Sequence, residues 1–457
     1  MQTAPQESLP FVSLLEVSSR LRRRELSPVA LTELCLERIA QLNPRLNAFI
    51  TVLAHEALDA AIQAEHEITA GDWRGPLHGV PVGVKDLIDV AGTVTTGASR
   101  AFADDPPATR DAPVVRNLRN AGAVIVGKTN LHELAYGGSG AISAYGAVPN
   151  PWDETRVAGG SSSGSAAAVA AGLCYAAIGT DTAGSIRVPS SCCGVVGLKP
   201  TYGLVSAEGV IPLSTSYDHV GPIARTSQDA LAVLDAIAPG TAFKTREVDW
   251  QGLRVGVPHK GFCESMTPEV EQAYAQTLEH VRALGATLVS MELVTDSDRA
   301  LAGGESHRYH RERAAEGSPL RSLYDPSTLV RIEKGAVVSD EQIVQFRAKL
   351  AADRKAAFAI FEQVDLILTP TMPILPPTIS DFDSPDARTL ELLMLRNTRP
   401  FNVLGLPTVN VPVALANGVP IGMQLTAAPL EDGTLLRLSA KFEVSLDRGK
   451  AARPVFE

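Results

Sequence analysis

Aromatic side chains make up only 5% of this chain, too few for an aromatic-lined sandwich, whereas its abundant Ala and Gly suit helices and strands that approach closely. Long apolar runs are also missing. No stretch reaches the ~18 uninterrupted apolar residues of a membrane span, so no membrane partner is expected. The segment Met1 to Pro10 carries Glu and Pro where a secretory leader would be basic and then apolar, so no signal peptide is expected either. Basic runs are scarce as well. With a formal net charge of −10, a broad phosphate-binding surface is excluded and no nucleic-acid partner is expected. The densest cluster, Leu21-Arg-Arg-Arg24, precedes a Ser-Pro helix start and reads as a solvated helix end. The five cysteines form no C-x-x-C pair and have no histidines at zinc spacing. They point to a reduced, cytoplasmic compartment rather than a disulfide framework. Repeats, low-complexity tracts and extended linkers are absent.

What is present alternates between two periods. Ser27-Pro28 reads as N-cap and first helical residue, followed by Leu31, Leu34, Cys35, Ile39 and Leu42 on one helical stripe. Val114, Val115 and Leu118 form a second stripe, closed by Gly122 and followed by the apolar run Ala123 to Val126. An Ala-rich helix, 165–171, stops at Gly172 and leads into a strand, 173–179. Helix followed by strand is the α/β rhythm. Strands are also predicted at 253–258, 364–369 and 409–413, with long helices over 267–290 and 340–363. Pro239-Gly240 marks a shift toward a more charged, helix-rich second half.

Two motifs fail on context. Gly122-Ala-Val-Ile-Val-Gly127-Lys128-Thr129 matches a phosphate-binding loop, but its spacer is the apolar strand itself, and extended Val-Ile-Val cannot wrap phosphate. Gly160-Ser-Ser-Ser-Gly164 matches a hydrolase nucleophile elbow, yet 150–156 reads as a polar loop, and the last histidine is His310, too early for a triad. His307 and His310 share a helix face but find no third ligand at fitting spacing, so no metal site is expected. No cofactor is expected.

A third constellation holds together. Lys85 ends the apolar segment Val82-Gly-Val84; alone it would read as a snorkelling or ion-paired lysine. Downstream come Gly159-Gly-Ser161-Ser-Ser163-Gly164 and Asp181-Thr-Ala-Gly-Ser185-Ile-Arg187, with the two serines, Ser161 and Ser185, 24 residues apart. This set resembles the amidase signature family, whose pattern runs G-V-P-x-x-V-K-D, G-G-S-S-x-G and D-x-x-G-S-x-R with the same serine interval. The likeness extends through Asp89-Val-Ala-Gly92, Gly127 to Asn130, Asn150-Pro-Trp152, Cys193 to Thr201 and Asp218 to Pro222. It continues more weakly through Asn402 to Pro407 and Gly422 to Leu425.

The resemblance implies an α/β fold with a central mixed sheet covered by helices on both faces. It implies one domain over 1–457, its core at about 75–226 and a helix-rich specificity half at about 240–440. It assigns Ser185 as the nucleophile forming an acyl-enzyme, Ser161, after a cis peptide bond, as proton relay, and Lys85 as general base on a linear carboxylic amide. Backbone N–H groups of Thr182, Ala183, Gly184 and Ser185 would receive the oxyanion, and the Ala135 carbonyl would touch the same region. Relatives often carry Gly in place of Ala183. Asp181 and Arg187 read as a structural pair, Ser162 and Ser163 as loop hydrogen-bonders, and Tyr309 and His310 as specificity candidates. A small-molecule amide is the expected partner, and a homodimer is in keeping with the resemblance. The alternative is the glutaminase component of a tRNA-dependent amidotransferase complex. Such components generally show Gln in place of His219 and a longer segment than the one after Phe442.

Overall fold

In the computed structural model, residues 6–240, 243–293, 298–446 and 453–456 are described; Met1 to Pro5 of the leader reading lie outside them. Ser27 starts the helix Pro28–Leu46 as expected, its Oγ accepting the N–H groups of Val29 and Ala30. The chain then builds an eleven-stranded sheet from β1 (Phe49–Val52), β2 (Pro81–Lys85), β3 (Val124–Thr129), β4 (Ala176–Asp181), β5 (Val196–Lys199), β6 (His219–Ala224), β7 (Arg254–Pro258), β8 (Thr287–Met291), β9 (Leu366–Pro370), β10 (Thr408–Ala416) and β11 (Val419–Thr426). Their spatial order is β1-β3-β2-β4-β6-β5-β10-β11-β9-β7-β8. The sheet is mixed. β2 runs parallel to β3 and β4, and β7 parallel to β8 and β9, while the strands between pair antiparallel. Strands from before and after Pro239-Gly240 belong to the same sheet.

Side-chain alternation packs both faces of this sheet. Ala176 and Ile178 of β4, with Ile125 of β3, face a core shared with the helices Ser227–Ile237 and Asp432–Ser445. Ala177 of β4, with Val124 and Val126 of β3, faces a second core against the helices Ser163–Ala170 and Pro28–Leu46. Each Val, Leu or Ile so buried contributes about 1.5–3 kcal/mol. The small side chains of Ser163–Ala170 let that helix lie close to the sheet.

Several boundaries differ from expectation. The helix predicted over 267–290 ends at Ala283; Gly285, at φ +94°, turns the chain, and 287–291 becomes edge strand β8. The helix predicted over 340–363 breaks at the 3₁₀ turn Ala357–Ala359. The strand expected over 173–179 lies at Ala176–Asp181. The loop before Gly160 carries a separate two-stranded ribbon, Pro149–Asn150 with Asp153–Val157. Lys128 lies within β3 and pairs with buried Asp86 at 2.8 Å, so the glycine-rich match is strand and no phosphate cradle. Arg22, Arg23 and Arg24 are exposed.

Gly164, in the first turn of Ser163–Ala170, tests the closeness of helix and sheet. A Cβ there would meet Ala48 O at 2.3 Å and Asn130 N at 2.6 Å, both backbone atoms. Gly164→Ala is expected to lower unfolding free energy by about 3 kcal/mol, read from urea denaturation; an unchanged midpoint would show that the helix can slide.

Candidate active site

Lys85 is the last residue of β2 and Asp181 the last of its parallel neighbour β4, so both lie at the carboxyl ends of paired strands, where α/β sheets place their sites. The segment 160–162 comes against them at the start of Ser163–Ala170, and the Gly160-Ser161 peptide is cis. Ser162 N donates to Ser185 O at 3.1 Å, fixing the two serine segments together.

The Lys85 amine is wholly buried and surrounded by hydroxyls. Its Nζ lies 2.8 Å from Ser161 Oγ, 3.0 Å from Ser162 Oγ and 2.7 Å from Thr180 Oγ1. No carboxylate pairs with it among the described residues. Burial therefore lowers its pKa to about 7, against a smaller upward pull from Asp181 and Asp218. Asp218 is buried too. Its Oδ1 accepts from Thr182 Oγ1 at 2.6 Å and its Oδ2 from the N–H groups of Leu213 and Ser214 at 3.0 Å each, yet burial raises it to about 7.

A buried ion pair shapes the turn that carries Ser185. Asp181 takes Arg187 on both oxygens at 3.1 Å, and the same oxygens accept Gly184 N at 2.7 Å and Ile186 N at 3.1 Å. Arg187 also donates to Thr398 O at 2.9 Å, Gln424 Oε1 at 3.0 Å and Asn402 Oδ1 at 2.6 Å. These charge-assisted bonds hold Asp181 well below the usual carboxylate range despite its burial. Gly184 is required here. It stands at φ +135°, and a Cβ would fall 2.1 Å from Thr398 Oγ1.

Of the residues expected together, Lys85 and Ser161 are in hydrogen-bond contact, while Thr182, Ala183, Ser185 and Ala135 line one cavity of about 390 Å³. Among the described residues the Ser185 hydroxyl makes no hydrogen bond. Gly184 departs from its expected part as an oxyanion donor, because its N–H is engaged by Asp181; the N–H groups of Thr182, Ala183 and Ser185 have no acceptor among the described residues. Tyr309 and His310 do not line the cavity. The His310 ring packs edge-on against Phe102 and Tyr324, so the specificity role expected of these two is not supported. The same helix, Ala300–His310, offers Ala300, Ala302 and Gly303 instead. Thr180 carries no motif signal of its own, although it directly precedes Asp181. Ser162 is more than a loop hydrogen-bonder, since it touches the Lys85 amine. A larger groove, about 1050 Å³ beside Trp250, contains none of these groups.

An eleven-stranded mixed sheet flanked by helices, with this turn at its strand ends, is the amidase signature fold. It superimposes on a crystal structure described as an amidase with a TM-score of 0.86 at 34% identity, covering 95% of this chain and 99% of the other. Against native peptide amidase from Stenotrophomonas maltophilia the TM-score is 0.80 at 31% identity, covering 97% and 98%. The A component of glutamyl-tRNA(Gln) amidotransferase from Chloroflexus aggregans is 35% identical over 95% of this chain and 96% of its own length. The Amidase family model matches residues 30–436, and the chain belongs to this amidase signature family, whose enzymes act on carbon–nitrogen bonds.

Removing one member of a buried pair leaves the other charge uncompensated. Arg187→Met is expected to cost about 3–5 kcal/mol of stability, measured by chemical denaturation. A loss within experimental error would mean that the turn stands without its clamp.

Proposed function

We propose that the protein is an amidohydrolase that cleaves a linear carboxylic amide through an acyl-enzyme on Ser185, with the chain read as one catalytic unit. The observation that carries this reading is Lys85 Nζ at 2.8 Å from Ser161 Oγ in a buried, carboxylate-free ring of hydroxyls. A serine hydroxyl needs a base to become a nucleophile. Neutral Lys85 offers a lone pair. Ser162 spends its own hydrogen on Thr180 O at 3.1 Å and so acts as an acceptor toward the amine, while Ser161 has its proton to give.

Ser161 passes its proton to Lys85 as it takes the proton of Ser185, whose Oγ bonds to the carbonyl carbon. The oxyanion that forms is received by the N–H groups of Thr182, Ala183 and Ser185; losing one such donor costs on the order of 10²–10³ in rate. Gly184 holds the turn open, and Ala135 borders the same space. The proton returns through Ser161 to the amine nitrogen as the carbon–nitrogen bond breaks. Water then releases the acyl group by the reverse relay.

The glutaminase reading remains as a second one, favoured by relatives named as the A component of glutamyl-tRNA(Gln) amidotransferase. His219 counts against it. The imidazole is buried, its Nδ1 toward the carbonyls of Tyr217 and Asp181 at 2.6 and 3.1 Å and its Nε2 3.3 Å from Lys199 Nζ. Amide hydrolysis by the isolated chain supports the first reading; glutamine hydrolysis that appears only in a co-purifying complex supports the second.

Intact-mass analysis after a fluorophosphonate probe should show one adduct on the wild type and none on Ser185→Ala. Lys85→Met should label on the order of 10²–10⁴-fold more slowly. Labelling that survives Ser185→Ala rejects the assignment. The base must be neutral, so kcat/KM should rise as pH passes through about 7. Asp218→Asn removes a negative charge that favours the Lys85 ammonium, so that rise should move to lower pH; a shift to higher pH would contradict the electrostatic account.

A further inference from the structure

Five cationic side chains, Arg299, Arg331, Lys334, Arg388 and Arg399, line the Ser185 cavity against a single carboxylate, Asp298. Partners behind the wall account for part of this charge. Buried Glu391 takes Arg331 and Arg388 at 3.0 Å each, both on Oε2, so two guanidiniums share one carboxylate. Arg399 reaches the Asp298 carbonyl oxygen. Lys334, exposed at the rim, pairs with no carboxylate among the described residues.

Arg299 stands apart from the rest. Only partly exposed, its guanidinium has no hydrogen bond or ion pair among the described residues. The charges that bear on it are those of Arg399 and Arg388, of its own sign, and burial together with these neighbours lowers it to about 10. A guanidinium drawn from water without a counter-charge is unfavourable. It becomes favourable when an anion arrives, and a carboxylate matches its planar fork.

We propose that this cavity selects amides that carry a carboxylate in the part of the molecule filling the pocket, with Arg299 as its principal partner. At about 390 Å³ the space suits a small molecule. A free α-amino acid fits less well, because its ammonium would face five cations and would have only Asp298, whose Oδ1 already accepts Ala300 N at 2.8 Å. The inference takes the scissile amide from the reading of Ser185 given above, but binding can be measured without turnover.

The test is calorimetric titration of Ser185→Ala protein with malonamate, succinamate and glutaramate, each against the neutral diamide of the same length. At least one monoamide should bind about tenfold or more tighter than its diamide, with an affinity that falls as salt is raised. Adding Arg299→Met should abolish the difference, and Arg299→Lys should restore part of it. Equal or tighter binding of the diamides, no binding by any monoamide, or a preference that survives Arg299→Met overturns the proposal. The comparison within the Ser185→Ala background decides even if the arginine variants do not fold. A failure of the nucleophile assignment would show differently, as missing fluorophosphonate labelling of the wild type while anion-selective binding stays intact.

Discussion

Asp181 and Arg187 flank Ser185 in sequence and are both sealed from water, and the bonds that compensate their burial come from distant parts of the chain. Asp181 accepts N–H groups from its own turn and Asn402 Nδ2 at 2.7 Å; Arg187 reaches Thr398, Asn402 and Gln424. Thr398 Oγ1 in turn donates to Ala183 O at 2.6 Å. One ion pair thus sets the turn, aims Ser185 into the cavity and ties the signature segment to the second half. Burial of such a pair is tolerable only when its remaining hydrogen-bonding capacity is met, as it is here. That requirement explains why the turn and the Thr398–Asn402 segment form a single unit.

The same sheet buries a second kind of cation nearby. Lys128, on β3, is neutralised by Asp86, whereas Lys85, on adjacent β2, meets only hydroxyl oxygens. Both side chains are inaccessible, so they differ in partner and not in depth, and Lys85, with no carboxylate beside it, gives up its proton near neutrality. Charge left unmatched recurs at Arg299 on the cavity wall. There the group cannot be neutralised by losing a proton at ordinary pH, and the counter-charge has to come from the ligand.

Much of the first half was legible because its signals are local. Ser27-Pro28, the closing Gly122 and the small-residue turn before Ser185 each dictate backbone within a few residues, and the interval between the serines carried the family likeness. The clamp on Asp181 was half visible. Arg187 could be paired with it by proximity, but Asn402, Thr398 and Gln424 lie more than 200 residues away, and nothing local announces such partners. The cationic wall was invisible for the same reason. β8 reads as helix because Leu284 and Leu288 continue the stripe of the preceding helix, although Gly285 between them carries the stop signal. Tyr309 and His310 look well placed on their helix, but the His310 ring is buried edge-on against Phe102 and Tyr324, and Tyr309, in ring contact with His310, stays exposed outside the cavity.

The proton relay depends on the charge of one amine, that of Lys85. Protein labelled with ¹³C at lysine Cε, with the Lys85 resonance assigned by its loss in Lys85→Arg, reports that charge directly as pH is varied. Lys85 is expected to titrate with a midpoint of about 7, apart from the exposed lysines, and to stay neutral above it. A midpoint in the ordinary lysine range, near 10, would leave Ser161 and Ser185 without a base and contradict the relay.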